Sequence, residues 1–384
     1  MQIVVPKERY PRERRVAASP DGIKRLREMG HRVAVESGAG GAAGYPDRLF
    51  ADAGAEILSD IREGLGSADI VLRVRPPGLE EEGWEFRRMR SGAVLVGLLS
   101  PYRDRARLEA YAAHGLTCYA LELMPRITRA QGMDALSSQS NLAGYAAVIR
   151  AAAVFGRAFP MMVTAAGTIA PARTLVLGAG VAGLQAIATA RRLGAVVLAM
   201  DVRPAVREQV ESLGATFLDV TVEEEAPTET ESGYAREMGE RYHDRQAEVT
   251  RDALRRADIV ITTALIPGRP APVLITADMI PAMRPGSVIV DMAVEQGGNC
   301  ELSERDAEIV RNDVTIIGDG NLPSAVATDA SALYTRNLVN FIELLTEKGT
   351  QPPRVQSDDE ILRGTLIAHD GRLVHPSLAG GGAE

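Results

Sequence analysis

Cysteine is nearly missing from this chain: Cys118 and Cys300 are the two in 384 residues, and no C-x-x-C spacing joins them. A disulfide framework and a cysteine zinc site are therefore excluded, and both thiols read as small buried side chains. Histidine is scarce too. His31, His114, His243, His369 and His375 are scattered, with no pair at metal-ligand spacing, so no metal is expected. No stretch of about 18 uninterrupted apolar residues occurs, which leaves no segment to span a bilayer. The opening MQIVVPKERYPRERRVAASP lacks the apolar core of a signal peptide and reads as a strand and a loop. A basic excess is missing as well, since 43 Lys and Arg stand against 51 Asp and Glu for a net charge of −8. Nucleic acid or anionic lipid would demand a basic face, so neither is expected as a main partner. A cytoplasmic chain without direct membrane insertion is the expectation.

What is present is the composition of a globular protein, 46% apolar and 24% charged, with low complexity only in the GGGAE tail. A chain of this length exceeds one ordinary core, so two domains are expected. Apolar runs alternate with amphipathic segments, the pattern of βα units on parallel sheets. MQIVVP, HRVAVES, ADIVLRV, GAVLVGLL and TCYALEL read as strands. SPDGIKRLREMG reads as a helix with Ser19 as N-cap, Pro20 at the first turn and Gly30 as its stop. YPDRLFADAGA reads as another helix. The fold class is α/β: two Rossmann-like, doubly wound parallel-sheet domains joined by long helices. Residues 1–137 form the first, completed by 325–384, and residues 138–324 form the second. The joining helices are read at 141–158 and in ATDASALYTRNLVNFIELLTEKG.

The second domain carries LVLGAGVAGLQAI, with Gly178, Gly180 and Gly183 in G-x-G-x-x-G order. Glycine triplets alone are weak signals, but here the run follows a strand, opens a helix and precedes a second strand, AVVLAM, that ends at Asp201, 23 residues after Gly178. This is the dinucleotide fingerprint. Gly178 permits the tight turn, Gly180 lets the backbone approach a pyrophosphate, and Gly183 lets the helix pack on the sheet. The helix N-terminus at Val181 faces the phosphates. Asp201 accepts ribose hydroxyls and repels a 2′-phosphate, so NAD(H) is expected over NADP(H). Val202 and Arg203 follow it; Arg203 either salvages a phosphate or lies on the adenine face. Ala264, Leu265 and Pro267 end another strand at the carboxyl edge, where they either line the nucleotide or form a contact-free apolar loop.

Two polar segments stand apart. RITRAQGMDALSSQSN, residues 126–141, is rich in neutral hydrogen-bonders, and composition leaves open whether it is an interdomain linker or a gripping surface. Residues 219–245 are acidic and aperiodic, and read as a long excursion from the core.

With these residues in view, the chain resembles the NAD(H)-binding component of proton-translocating nicotinamide nucleotide transhydrogenase. The resemblance runs over essentially the whole length, through PKE…RRVAASP, RITRAQGMDALSSQSNLAGY, GAGVAGLQAIATARRLGAVV, DVRPAVREQVESLGA, GYAREM, ALIPGRPAP and VDMAVEQGGN. It implies that Arg126, Asp134 and Ser137 hold the nicotinamide end, with Arg126 and Asp134 paired in at least one state, and that Gln131 reaches the nucleotide on a partner. Ser138 and Gln139 support them, and Tyr234 and Met238 close over the cofactor from a loop. It also implies a homodimer, a beta component that binds NADP(H), membrane-spanning subunits on other chains, and a place on the inner face of the membrane.

Several of these motifs are shared with alanine dehydrogenase, which gives a second reading. That enzyme would carry a catalytic His at the end of GAVLVGLL and an Asp just before QGG, where this chain has Ser100 and Glu295. Oxidising an amine needs a general base near the reacting carbon. Arg15 matches the arginine that binds substrate carboxylate there, and Arg73 or Arg75 replaces its substrate lysine. Asp291, like Glu295, follows a strand end and could face the ligand.

Overall fold

The computed structural model describes residues 1–78, 84–220, 239–266, 268–346, 353, 355 and 358–379. Along the chain the strands are β1 (Gln2–Val5), β2 (Arg32–Glu36), β3 (Glu56–Leu58), β4 (Ile70–Leu72), β5 (Val94–Gly97) and β6 (Thr117–Ala120), then β7 (Met162–Thr164) and β8 (Gly167–Ile169). They continue with β9 (Arg173–Leu177), β10 (Val196–Met200), β11 (Thr216–Phe217), β12 (Ile259–Thr262), β13 (Val288–Asp291), β14 (Ala307–Arg311) and β15 (Val314–Gly318), and end with β16 (Leu366–His369) and β17 (Arg372–Leu373). Two compact units divide the chain, one from Met1–Gln139 with Pro323–Glu384, the other Ser140–Leu322.

The first unit is built on one sheet of order β17-β16-β6-β5-β4-β1-β2-β3. From β3 to β6 every pairing is parallel, and β16 and β17 add an antiparallel edge on β6. The parallel part has the order 3-2-1-4-5-6, the doubly wound arrangement. Strands buried on both faces need continuous apolar runs, and Ile3, Val4 and Val5 of β1 and Val94, Leu95 and Val96 of β5 meet that need at 1% exposure or less. Helices cover both faces. Pro20–Glu28 starts as the sequence suggests, with the Ser19 side chain accepting from Gly22 N–H and Pro20 in the first turn, and Gly30 at φ +89° ends it. The helix Ala327–Leu345 buries Tyr334, Leu338, Phe341, Ile342 and Leu345 in the same core.

The second unit repeats the plan, with order β11-β10-β9-β12-β13-β15-β14; β14 runs antiparallel and all other pairs are parallel. Registers place Leu177 opposite both Met200 and Thr262, and Thr262 opposite Asp291. The carboxyl ends of β9, β10, β12 and β13 therefore finish level. Strand order reverses between β9 and β12, and such a switch point is where open α/β sheets receive ligands. Both units are thus Rossmann-like.

Two local readings change. Residues 135–140 are helical: the helix expected over 141–158 spans Ala135–Val154, because Asp134 accepts from Ser137 N–H at 2.8 Å and caps its first turn. The end of the acidic stretch is helical as well, within Glu240–Leu254.

A candidate dinucleotide site

The three fingerprint glycines answer to different demands. Gly178 sits at φ +97°, and a Cβ there would stand 2.6 Å from Thr263 Oγ1. A Cβ on Gly183 would lie 1.9 Å from Gly178 O, so only hydrogen lets the helix Val181–Arg192 meet the turn. Gly180 has ordinary angles, φ −75° and ψ −166°, and the nearest atom to a Cβ there is Arg203 Nη2 at 3.9 Å. The fold thus requires the outer two glycines, while the middle one leaves a space that the protein does not fill. Gly180 is also the N-cap, and no side chain caps this twelve-residue helix. Unsatisfied N–H groups and the positive end of the macrodipole together suit an anionic group. The space and the uncapped helix fit a pyrophosphate.

Asp201 follows β10 at the same edge. Its carboxylate accepts from Ala179 N–H at 2.7 Å, so it is tied to the glycine turn, and from Arg203 N–H at 2.9 Å. Arg203 also grips it through Nε at 2.9 Å and Nη2 at 3.0 Å. The guanidinium therefore covers the carboxylate that the sequence assigns to ribose. Val202 packs against the core on one side of this corner. Beyond β12, Thr263 Oγ1 donates to Gly178 O at 3.0 Å. Fully buried Asn299 accepts from Ala264 N–H at 2.9 Å and donates to Ala264 O and Pro272 O, both at 2.8 Å, which fixes the loop carrying Leu265. Val181 and Leu265 keep 41% and 39% of their surface exposed, unusual for apolar residues fixed at a sheet edge.

Asp291 does not face ligand space. It is fully buried, accepting from Thr262 Oγ1, Ala293 N–H, Cys300 N–H and Ser303 Oγ at 2.7–3.0 Å. Glu295 pairs with Arg305 at 3.2 Å, and Gly297 and Gly298 follow at φ +104° and +88°, which is what the QGG run is for.

In the first unit, residues 126–139 form a short 3₁₀ segment, Thr128–Met133, and then the capped start of the long helix. Arg126 and Gln131 are exposed, whereas Ala130 and Ala135 anchor the segment in the core. Asp134 accepts from the Ser137 hydroxyl at 2.5 Å as well as from its N–H, so its carboxylate is engaged by Ser137. Ser138 Oγ donates to Asn337 Oδ1 at 2.7 Å.

The switch point of this first sheet, between β1 and β4, is filled by the chain's own charges. Glu13 is enclosed, accepting from Arg15 Nε at 2.8 Å and Nη2 at 2.7 Å and from Ser324 Oγ at 2.6 Å. Burial works to raise the Glu13 pKa, but the hydrogen bonds from Arg15 outweigh it and bring it down to about 2. Arg15 donates its other nitrogen to Gln139 Oε1 at 2.8 Å and is 3% exposed. Arg73, 1% exposed, pairs with Glu8 at 3.3 Å and with Glu85, while Arg75 reaches Glu13 at 3.4 Å and lies over the Tyr10 ring. Burial pushes Glu8 up to about 7, ahead of the lowering by Arg73. Ser100, at φ +52°, gives its N–H to Glu122 at 2.5 Å. Among the described residues no group of three or more His, Cys, Asp or Glu side chains is placed to hold a metal ion.

The structure therefore gathers Gly178, Gly180, Gly183, Asp201, Arg203 and Ala264 at one sheet edge, and Asp134, Ser137 and Ser138 in one hydrogen-bonded turn. Tyr234, Met238 and Pro267 lie outside the described residues. Sequence reasoning missed Asn299, Asn337 and Asn340, since a lone Asn in a loop or helix carries no periodic signal.

These features define a class: an α/β protein of two Rossmann-like units, one of them bearing a dinucleotide-type turn. The alanine dehydrogenase/PNT N-terminal domain matches residues 4–143 and the corresponding C-terminal domain matches 147–376. The chain belongs to the alanine dehydrogenase/PNT family. It is 53% identical to the first polypeptide of NAD(P) transhydrogenase subunit alpha of Rhodospirillum rubrum, over 100% of both chains. A solved transhydrogenase structure from Sinorhizobium meliloti superposes with a TM-score of 0.86 at 46% identity, covering 97% of this chain and 100% of that one. Alanine dehydrogenase is more distant: the Halomonas elongata enzyme is 31% identical over 99% of this chain and 96% of its own.

Proposed function

We propose that this chain is the NAD(H)-binding component of a proton-translocating NAD(P) transhydrogenase, an oxidoreductase subunit incomplete by itself. NADP(H) is held by a partner beta component, and membrane-spanning subunits couple the transfer to proton movement, with this chain peripheral on the inner membrane face. No helix of the described residues is long and apolar enough to cross a membrane, which is compatible with that placement.

The observation that carries the reading is the state of Arg15. A small amino or oxo acid would need an available cation at the switch point of the first sheet. Glu13 and Gln139 instead engage Nε and both terminal nitrogens of Arg15, and Arg73 is paired with Glu8 and Glu85. Adding a substrate carboxylate beside Glu13 would bury a like charge, which is costly. The alanine dehydrogenase reading loses its substrate cation here, and no His stands at Ser100 to act as its base.

A transhydrogenase needs neither. The dihydronicotinamide itself supplies the hydride, so no protein acid, base or metal is required. The residues then have three tasks. The uncapped helix at Gly180 and Val181 binds the pyrophosphate, with Gly178 and Gly183 holding the turn. Asp201, once Arg203 moves aside, accepts the ribose hydroxyls, while Val202, Ala264 and Leu265 line the nucleoside and Tyr234 and Met238 cover it. Arg126, Asp134 and Ser137, supported by Ser138, hold the nicotinamide carboxamide, and Gln131 meets the second nucleotide. Holding two rings at about 3–3.5 Å supplies the catalytic advantage.

A homodimer suits the hairpin β7–β8. Its strands are exposed on both faces, with Met161, Met162, Val163 and Ile169 exposed by 63, 45, 74 and 41%. A lone two-stranded hairpin is marginal in water, so a second copy that covers it would stabilise it. The test of the function is a pair of assays. Pyruvate amination by NADH should be absent, and hydride exchange should begin when an NADP(H)-binding component is added. Robust alanine formation by the chain alone would overturn the reading.

A further inference from the structure

The helix Ala327–Leu345 does more than fill the core. Several of its polar side chains each hold a loop of the first unit. Ser331 Oγ accepts from Val16 N–H at 3.0 Å, Thr335 Oγ1 accepts from Ser19 N–H at 2.8 Å, and Tyr334 Oη donates to Arg73 O at 2.6 Å. One turn along, Asn337 and Asn340 converge on a single acceptor. Asn337 Nδ2 donates to Gly132 O at 3.0 Å and Asn340 Nδ2 donates to the same oxygen at 2.9 Å. The other end of the Asn337 amide accepts from Ser138 Oγ at 2.7 Å.

We propose that Asn337 and Asn340 are positioning residues that set the geometry of the nicotinamide-binding turn; the proposal rests on the function assigned to residues 126–138 above. A carbonyl oxygen has two lone-pair directions, and two amide donors at i and i+3 on one helix face saturate both. The peptide that follows Gly132 is thereby fixed in orientation, and with it the direction in which the adjacent Gln131 leaves the turn. Through Oδ1, Asn337 joins that peptide to Ser138, which follows Ser137, so the two ends of the 131–138 turn share one side chain. Gly132 is part of the device. A Cβ there would stand 3.0 Å from Asn340 Nδ2, closer than an amide tolerates without moving. Neither Asn is suited to the reaction itself, and Asn337 is 7% exposed, so both act through the turn.

The experiment separates positioning from folding and from the underlying function. NADH and ADP-ribose, which lacks the nicotinamide, are titrated into wild type, Asn340→Ala, Asn337→Ala, Gly132→Ala and Asn340→Gln, and melting is followed for each. Wild type should bind NADH more tightly than ADP-ribose. In the alanine variants ADP-ribose affinity should stay within about twofold, while the preference for NADH collapses by roughly tenfold and hydride exchange with an added NADP(H)-binding component falls roughly ten- to hundredfold. Asn340→Gln should recover part of the loss, because it keeps the donor. If wild type shows no preference for NADH, the nicotinamide assignment fails and this inference falls with it. If wild type shows the preference and a folded Asn340→Ala keeps both it and the exchange rate, the positioning role alone is refuted. Should Asn337→Ala fail to fold, half-buried Asn340 and exposed Gly132 decide the matter.

Discussion

Gly180 and Gly183 lie three residues apart in one motif, and the structure predicts opposite consequences for the same methyl group. On Gly183 a Cβ would meet Gly178 O at 1.9 Å and Gly178 C at 2.8 Å, both backbone, so the helix must retreat from the turn. Overpacking of that kind costs about 1–3 kcal/mol or more. On Gly180 nothing lies closer than 3.9 Å, and φ −75°, ψ −166° is open to alanine. Alanine there constrains the unfolded chain, a gain of about 0.4–1 kcal/mol. It is also a poorer N-cap than glycine, which costs a similar amount. The net effect on stability should lie within about 1 kcal/mol. Ligand binding tells the two apart. A methyl at Gly180 fills the space left for the pyrophosphate, and about 1–3 kcal/mol of crowding weakens NADH about 5- to 150-fold. Chemical denaturation and NADH fluorescence titration measure both quantities on each variant. Gly180→Ala binding NADH like wild type, or losing as much stability as Gly183→Ala, would refute the reasoning.

Four further outcomes are expected. Asp201→Asn removes a charged acceptor and releases Arg203, so NADH affinity should fall about 10- to 150-fold and discrimination against NADPH should shrink, as competitive titration would show. Asp291→Ala strands buried donors from Thr262, Ala293, Cys300 and Ser303, and should cost about 2–4 kcal/mol in urea unfolding, against a near-neutral result if the network were dispensable. Glu13 is depressed in the folded chain to about 2, so the unfolded chain takes up its proton first. Stability from this group is full above about pH 4.5 and is lost as pH falls toward 2; Glu13→Gln should remove that part of the acid dependence, measured by melting at several pH values. Val163→Asp on the exposed hairpin should shift the chain from dimer to monomer in light scattering while leaving each unit folded.

Much of the fold is legible in the sequence because parallel strands buried on both faces leave continuous apolar runs, as in β1, β5, β9 and β12. The helix starting at Pro20 is equally plain, since Ser19 and Pro20 mark its first turn. The short pieces are not. β3, β7, β8, β14 and β17 have two to five residues each, too few for periodicity to show, and β16 owes its place to pairing with β6, far earlier in the chain. The turn at 126–141 misled for another reason. Its polar residues suggested irregular chain, whereas Asp134 is a cap and Ser137 and Ser138 occupy the first helical turn. For the site, the glycine spacing and Asp201 could be read directly because backbone geometry demands those residue types. That Arg203 covers Asp201, that Glu13 neutralises Arg15, and that Asn337 and Asn340 hold Gly132 all depend on tertiary approach. Charged and amide residues at those positions are ordinary in sequence.

The central claim is that hydride passes directly between a nucleotide on this chain and one on a partner. The decisive measurement starts with NADH deuterated at C4, mixed with this chain, an NADP(H)-binding component and NADP⁺ in ordinary water, and follows the label by mass spectrometry. The account predicts deuterated NADPH, with no label lost to solvent and none required from pyruvate or ammonium. NADPH free of deuterium, or label appearing only in alanine when pyruvate and ammonium are supplied, would contradict it.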